Sequence, residues 1–187
     1  MNHHDHIKSS DDVVAFLRAQ HRQVKRQFER IIERRGAARA LAFQELRMLL
    51  AIHETAEEVT VHPAAKRSIP NGRAIVAERL REESEAKESL SVLETLEADS
   101  MEFDIMIRAL RSAVVAHAES EERAEFSQWA EKFDDDQIAK MARAVRFAES
   151  IEPIPSVRRS IEPSRAPFPT CKFESMVDRA RQALFVK

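Results

Sequence analysis

The chain has 187 residues, 33% charged and 43% hydrophobic, with two glycines, no tyrosine and a formal net charge of −2. That length suits one well-buried domain with some chain to spare, in the balance expected of a soluble helical protein rather than a sheet. The charge gives no reason to expect nucleic acid or an anionic membrane as partner, no apolar run reaches the roughly 18 residues that span a bilayer, and a lone Cys171 excludes an internal disulfide and a cysteine-based zinc site.

Residues 1–9, with His3, His4 and His6, read as a frayed terminus. They lack the apolar core of a signal peptide, so the expected location is the cytoplasm. Ser10 or Asp11 is the expected N-cap of a first long helix that runs to about Arg35, where Gly36 stops it. Its apolar seam is Val14, Leu17, His21, Val24, Phe28 and Ile31, a three-four alternation with a histidine in the middle. Such a lone histidine is usually a satisfied core residue. The second helix is expected from about Ala37 to about His62, ended by Pro63. Its seam is Phe43, Leu46, Leu50, His53, Glu57 and Thr60, so a histidine and a glutamate four residues apart project to one side. Glu54 flanks the seam and could reach inward as an extra ligand, whereas Glu58 is expected to face water. His62, nine residues beyond His53, falls about half a turn round the helix and is expected not to share its ion.

A turn-rich loop spans Lys66–Gly72, followed by a third helix from about Arg73 to Ala98 with the seam Val76, Leu80, Glu83, Leu90 and Leu93. It contains no histidine. Glu83 is its natural contribution to a polar layer, set against an ordinary surface ion pair with Lys87; Glu82 and Glu85 are less well placed substitutes. Asp99–Glu102 resembles a capping box opening a fourth helix that ends near Lys132. There Phe103, Ile107, Leu110 and Val114 mark one face, and the next two steps land on His117 and Glu121. An imidazole and a carboxylate on a dry face cost several kcal/mol unless something pairs with them, and a metal ion is the usual answer. Asp134–Asp136 caps a shorter helix to about Ser150, and residues 151–170 hold five of the seven prolines without periodicity. A last helix over 173–186, with Phe173, Met176, Val177, Ala180 and Leu184 at helical spacing, is expected to dock on the bundle or on a second subunit, making a homodimer through this region a further expectation.

Four long helices with short connections make an all-α, up-down-up-down bundle over residues 10–132, with an additional helix over 133–150 and a proline-rich tail with a short terminal helix over 151–187. An antiparallel arrangement brings His21, His53, Glu57, His117 and Glu121 to one layer, with Glu83 and Glu54 as further donors. That is too many ligands for one ordinary catalytic zinc and suits two ions bridged by carboxylates, for which Glu57 and Glu121 are the obvious candidates. Mixed imidazole and carboxylate ligands favour iron or manganese.

His21, then His53-Glu-Thr-Ala-Glu57-Glu58 followed by Pro63, then His117-Ala-Glu-Ser-Glu121-Glu122, resembles the hemerythrin-like, HHE cation-binding family, and the chain beyond Glu121 looks most like its actinobacterial members. The resemblance implies an oxygen-bridged, non-haem di-iron centre in a four-helix bundle, with manganese the weaker candidate. Family members that carry dioxygen reversibly place histidines on the third helix, where this chain has Glu83; the more anionic set should stabilise ferric iron and weakens the case for oxygen transport. Glu54 resembles an additional ligand of iron-sensing members. The functional expectation is catalase-like decomposition of hydrogen peroxide in oxidative-stress defence. The alternative is binding or sensing of dioxygen, nitric oxide or iron without turnover, and a third reading is a metal-free bundle whose His and Glu residues pair with each other. Ferritin-like sites use Glu-x-x-His pairs, and no histidine here has a glutamate three residues before it; without tyrosine, a tyrosyl radical is unavailable.

Overall fold

The structure, a computed structural model, describes residues 9–128, 134–140 and 172–185. The N-terminal histidines, the proline-rich stretch and Cys171 lie outside the described residues. Helix α1 spans Ser10–Glu33, α2 Gly36–Ala56, α3 His62–Ser68, α4 Gly72–Leu93, α5 Met101–Ala124 and α6 Phe173–Phe185. Together α1, α2 with α3, α4 and α5 form the expected all-α bundle: α1 packs on α2 and α5, and α4 packs on α3 and α5.

The ends follow local chemistry. Ser9, not Ser10 or Asp11, caps α1: its hydroxyl accepts the Asp12 N–H at 3.3 Å, and the Asp12 carboxylate accepts the Ser9 N–H at 2.9 Å. At α5 the cap is Ser100, which accepts the Phe103 N–H, while Asp99 instead accepts the N–H of Gly36 at the α1–α2 junction. Helix α5 stops at Ala124 rather than near Lys132, and a 3₁₀ turn, Phe126–Gln128, comes after it. Residues 135–140 are helical, with Asp134 and Gln137 exchanging backbone-to-side-chain hydrogen bonds at the start; the rest of the expected helix lies outside the described residues.

Pro63 does not stop the second helix. A π turn, Glu57–Val61, continues α2, and the His62 N–H reaches back to the Glu57 carbonyl, five residues earlier. Pro63 then occupies the first turn of α3, where a missing N–H is tolerated. The expected loop therefore shrinks to a tight reversal around Ile69–Asn71. Asn71 is left-handed at φ 57°, and a Cβ on Gly72 would stand 2.1 Å from the Ala65 carbonyl oxygen. Only glycine allows α3 and α4 to approach so closely.

Two apolar clusters fill the bundle. One is built on Val24, Phe28, Phe43, Leu50, Leu90 and Leu110, the other on Val13, Leu17, Val61, Val76 and Phe126. Along α1, α2 with its π turn, and α4 the chain passes from one cluster to the other, and along α5 it runs from the first cluster toward Phe126 just past the helix end; His21, His53 with Glu57, Glu83, and His117 with Glu121 fall at the crossing. The core is thus interrupted by one polar layer at a common height. The α4 seam differs from expectation: Leu80 is 38% exposed, and Arg79 is the buried residue, because its guanidinium finds carboxylates inside. Helix α6 docks on α2 of the same chain through Phe173, Val177 and Ala180. Glu94 fixes its start, accepting the Phe173 N–H at 2.7 Å while also pairing with the buried Arg47.

Candidate metal centre

The polar layer gathers the expected residues. One group of potential donors comprises His21, His53, Glu57 and Glu121, a second Glu57, Glu83 and His117; within each, one ligand atom per residue lies within 4.8 Å of the others. Glu57 belongs to both. His21 Nε2 is 3.2 Å from His53 Nε2 and 3.3 Å from Glu121 Oε2, and His53 Nε2 is 3.3 Å from Glu57 Oε1. On the other side of the Glu121 carboxylate, Oε1 is 3.4 Å from His117 Nε2. Glu121 thus faces His21 with one oxygen and His117 with the other.

The imidazoles are held from behind. His21 Nδ1 is 2.9 Å from Glu122, His53 Nδ1 is 2.9 Å from the Gln20 amide oxygen, and His117 Nδ1 is 2.8 Å from Glu82. In each case an acceptor behind Nδ1 places the ring proton there and leaves the Nε2 lone pair facing the centre, the arrangement that metal-binding histidines need. Glu82 is itself fixed by Arg79, whose Nε also donates to Glu125 at 3.0 Å. Gln20, Glu122, Arg79 and Glu125 were not among the sequence candidates. They sit one position from a seam residue or one turn beyond it, which is the only signal the sequence offers for them.

The other candidates separate clearly. Glu85 lies on the surface and pairs with Arg81 at 2.6 Å, so it does not serve as the α4 donor, and Glu82 stands behind His117 rather than beside it. Glu54 is buried but belongs to neither donor group; Lys87 Nζ lies 3.2 Å from it and 3.9 Å from Glu83. The surface-pair reading of Glu83 and Lys87 thus survives only in part, since Glu83 is buried. His62 is the main departure. The π turn swings it inward, where it is 2% exposed and its Nε2 lies 2.7 Å from Glu83 Oε1.

Burial sets unusual charge states on the metal-free chain. Burial, reinforced by Glu121, pushes the Glu57 carboxyl well above the ordinary carboxylate range. Burial also opposes ionisation of Glu121, yet the imidazoles of His117 and His21 beside it outweigh that and hold the carboxyl below its usual range. His53 is lowered to about 3 by burial and by His21 beside it. Burial pulls His117 down as well, but its contacts with Glu121 and Glu82 raise it to about 9. Glu54 is pushed up to about 7 by burial, against the pull of Lys87.

All four carboxylate oxygens of Glu57 and Glu121 are buried without a hydrogen-bond partner among the described residues. Orphaned buried acceptors are rare, and here they converge on imidazole lone pairs, so the donor set fits a hard or borderline cation. A cavity of about 460 Å³ reaches the layer between α4 and α5, lined near the centre by His21, His53, Glu54, Glu83 and His117.

A helical bundle interrupted by a buried layer of inward-facing imidazole and carboxylate groups defines a cation-binding protein. The chain belongs to the hemerythrin HHE cation-binding domain family, whose model matches residues 12–129. Metal binding, typically of iron, is implied by that membership together with the His/Glu cluster. Neither a curated protein nor a solved structure gives a significant match. Among the described residues, no helix is long and apolar enough to cross a membrane.

Proposed function

We propose that the chain holds two iron ions bridged by Glu57 and Glu121 and converts two molecules of hydrogen peroxide into two of water and one of dioxygen. The observation that carries this reading is the pair of donor groups sharing Glu57, with the Glu121 oxygens turned one to each side. A bound iron pair supplies Lewis acidity and a two-electron reservoir. The protein supplies the rest. The cavity admits small molecules past Val24, Leu50, Leu110 and Val114, whose apolar walls limit water at the centre. Glu54 lines the same cavity, outside both donor groups, and with a pKa of about 7 its carboxyl can take a proton from peroxide and return it. Gln20, Glu122 and Glu82 hold the three rings in place during turnover.

The test is oxygen release, followed with an oxygen electrode, from iron-loaded protein given peroxide. Iron content of about two per chain with peroxide-dependent oxygen release is the expected result, and Glu54→Gln should slow release without loss of iron. Protein with two irons that releases no oxygen would refute turnover. It would favour the second reading, a protein that binds dioxygen, nitric oxide or iron and signals its state. One contact supports that alternative: Arg181 of α6 pairs at 2.6 Å with Glu58, the neighbour of Glu57 in the π turn, which ties the C-terminal helix to the centre. Under that reading the protease sensitivity of α6 changes on oxidation.

A further inference from the structure

We propose that His62 is a second imidazole donor to the second ion, joining His117, Glu83 and the shared Glu57 and Glu121. The proposal rests on the two-ion reading above. Its starting point is the register of the second helix. Residues five apart in an α-helix point about 140° away from each other, which would turn His62 from Glu57. In a π turn the hydrogen bond spans five residues, so positions i and i+5 stack as i and i+4 do in an α-helix. The His62 N–H to Glu57 carbonyl bond is this contact. His53, Glu57 and His62 therefore rise one above another on a single face, the first step taken in α and the second in π.

The distance to Glu83 agrees, with His62 lying just outside the cluster that Glu57, Glu83 and His117 form within 4.8 Å of one another. Two donors about 2.1 Å from a shared ion, at about a right angle, stand about 3.0 Å apart. The imidazole–carboxylate distances of the first group are 3.3 Å, and His62 Nε2 to Glu83 Oε1 is 2.7 Å. Without His62 the two groups differ in their imidazoles, two against one. With it each ion has two imidazoles, Glu57 and Glu121 being common to both.

His62 differs from the other three rings in one respect: its Nδ1 is buried without a hydrogen-bond partner among the described residues. Ligation through Nε2 fixes the ring proton on Nδ1. Glu125 Oε2, one turn beyond Glu121, is a buried acceptor that likewise has no hydrogen-bond partner among the described residues, and Glu125 is near enough to His62 to interact with it electrostatically. An unpartnered ring nitrogen and an unpartnered carboxylate oxygen are thus left on two buried groups that interact electrostatically. Glu125, already fixed by Arg79, is suited to the supporting role that Gln20, Glu122 and Glu82 play for the other rings.

The experiment uses full-length protein carrying isotopically labelled histidine, titrated with zinc(II) as a diamagnetic probe and followed by NMR of the ring nitrogens. His62→Gln assigns the His62 signals. The expected result is four rings, His21, His53, His62 and His117, shifting at Nε2 to metal-bound values, with His62→Gln binding the second zinc at least about tenfold more weakly. Glutamine keeps an N–H for Glu83 but is a poor ligand. A His62→Gln variant with parental affinity for both ions, or a parent His62 Nε2 signal that zinc leaves unmoved, would overturn ligation and reduce His62 to a positioning residue for Glu83. If the parent takes up only one zinc, the two-ion reading falls separately; a shifted His62 signal still supports ligation and an unshifted one still overturns it.

Discussion

Substituting Glu57 by glutamine should have unequal consequences in the metal-free and metal-loaded chain. Without metal, burial and the Glu121 charge push the Glu57 carboxyl well above the ordinary carboxylate range, toward its neutral form. A neutral amide of the same shape should then cost no more than about 1 kcal/mol. With metal the position is different, because Glu57 belongs to both donor groups. At a free metal concentration 100 times Kd, binding stabilises the parent by about 2.7 kcal/mol. If loss of a shared ligand weakens Kd about 100-fold, the same concentration stabilises the variant by only about 0.4 kcal/mol. The difference, about 2.3 kcal/mol, corresponds to about 5–9 °C in Tm for a chain of this size. Differential scanning calorimetry of both proteins, with and without ferrous iron under anaerobic conditions, reads both effects. An equal metal-induced rise in Tm for parent and variant would refute the placement of Glu57 at the centre. A metal-free variant several kcal/mol less stable than the parent would refute the assigned charge state.

Three further outcomes are expected from the same geometry. In the metal-free chain Glu54, raised in the fold, contributes a loss of about 3 kcal/mol as it ionises between pH 4.5 and 7, which the lowered His53 offsets up to pH 6.5, so the net fall comes between pH 6.5 and 9, where His117 loses its proton at a cost of about 3 kcal/mol; metal affinity should rise with pH because the ligands must be deprotonated. Urea melts of metal-free protein at several pH values check the fall above pH 6.5, and a Glu54→Gln variant with the same pH dependence as the parent between pH 4.5 and 7 would contradict the Glu54 assignment. Glu82→Ala should leave the fold intact and weaken metal binding about 10–100-fold by freeing the His117 ring, measured by competition with a chelating dye. Gly72→Ala should destabilise the protein by about 1–3 kcal/mol, since the added Cβ meets the Ala65 backbone oxygen rather than a movable side chain; an unchanged denaturation midpoint would show that the α3–α4 turn has room.

The residues legible in the sequence were those that obey the α-helical period. His21, His53, Glu57, His117 and Glu121 stand at three-four spacing within apolar seams, and the structure brings them together because the long helices run from one core cluster toward the other and cross at the same height. Glu83 was readable for the same reason, although its competing pair with Lys87 could be weighed only once Lys87 was seen to sit between it and Glu54. His62 was misplaced because an α-period extrapolation runs straight through Glu57–Val61, where the coil widens by one residue per turn. Pro63 carried part of that signal: a proline one step after an inward-facing segment forbids the regular bond to the residue four before it, and a π turn just upstream is one way to continue the helix. Arg79 was hidden for a different reason. Apolar pattern-matching chose Leu80 for the seam, but a guanidinium that meets Glu82 and Glu125 loses less by burial than those two carboxylates would without it. Residues that support a polar layer are themselves polar, so they look like surface until the layer is known. Glu122 beside Glu121, Gln20 beside His21 and Glu82 beside Glu83 all obey this rule: each is the seam neighbour that reaches round to the back of an imidazole. In a bundle of this kind, the support of the metal centre is therefore best sought one position to either side of the ligands.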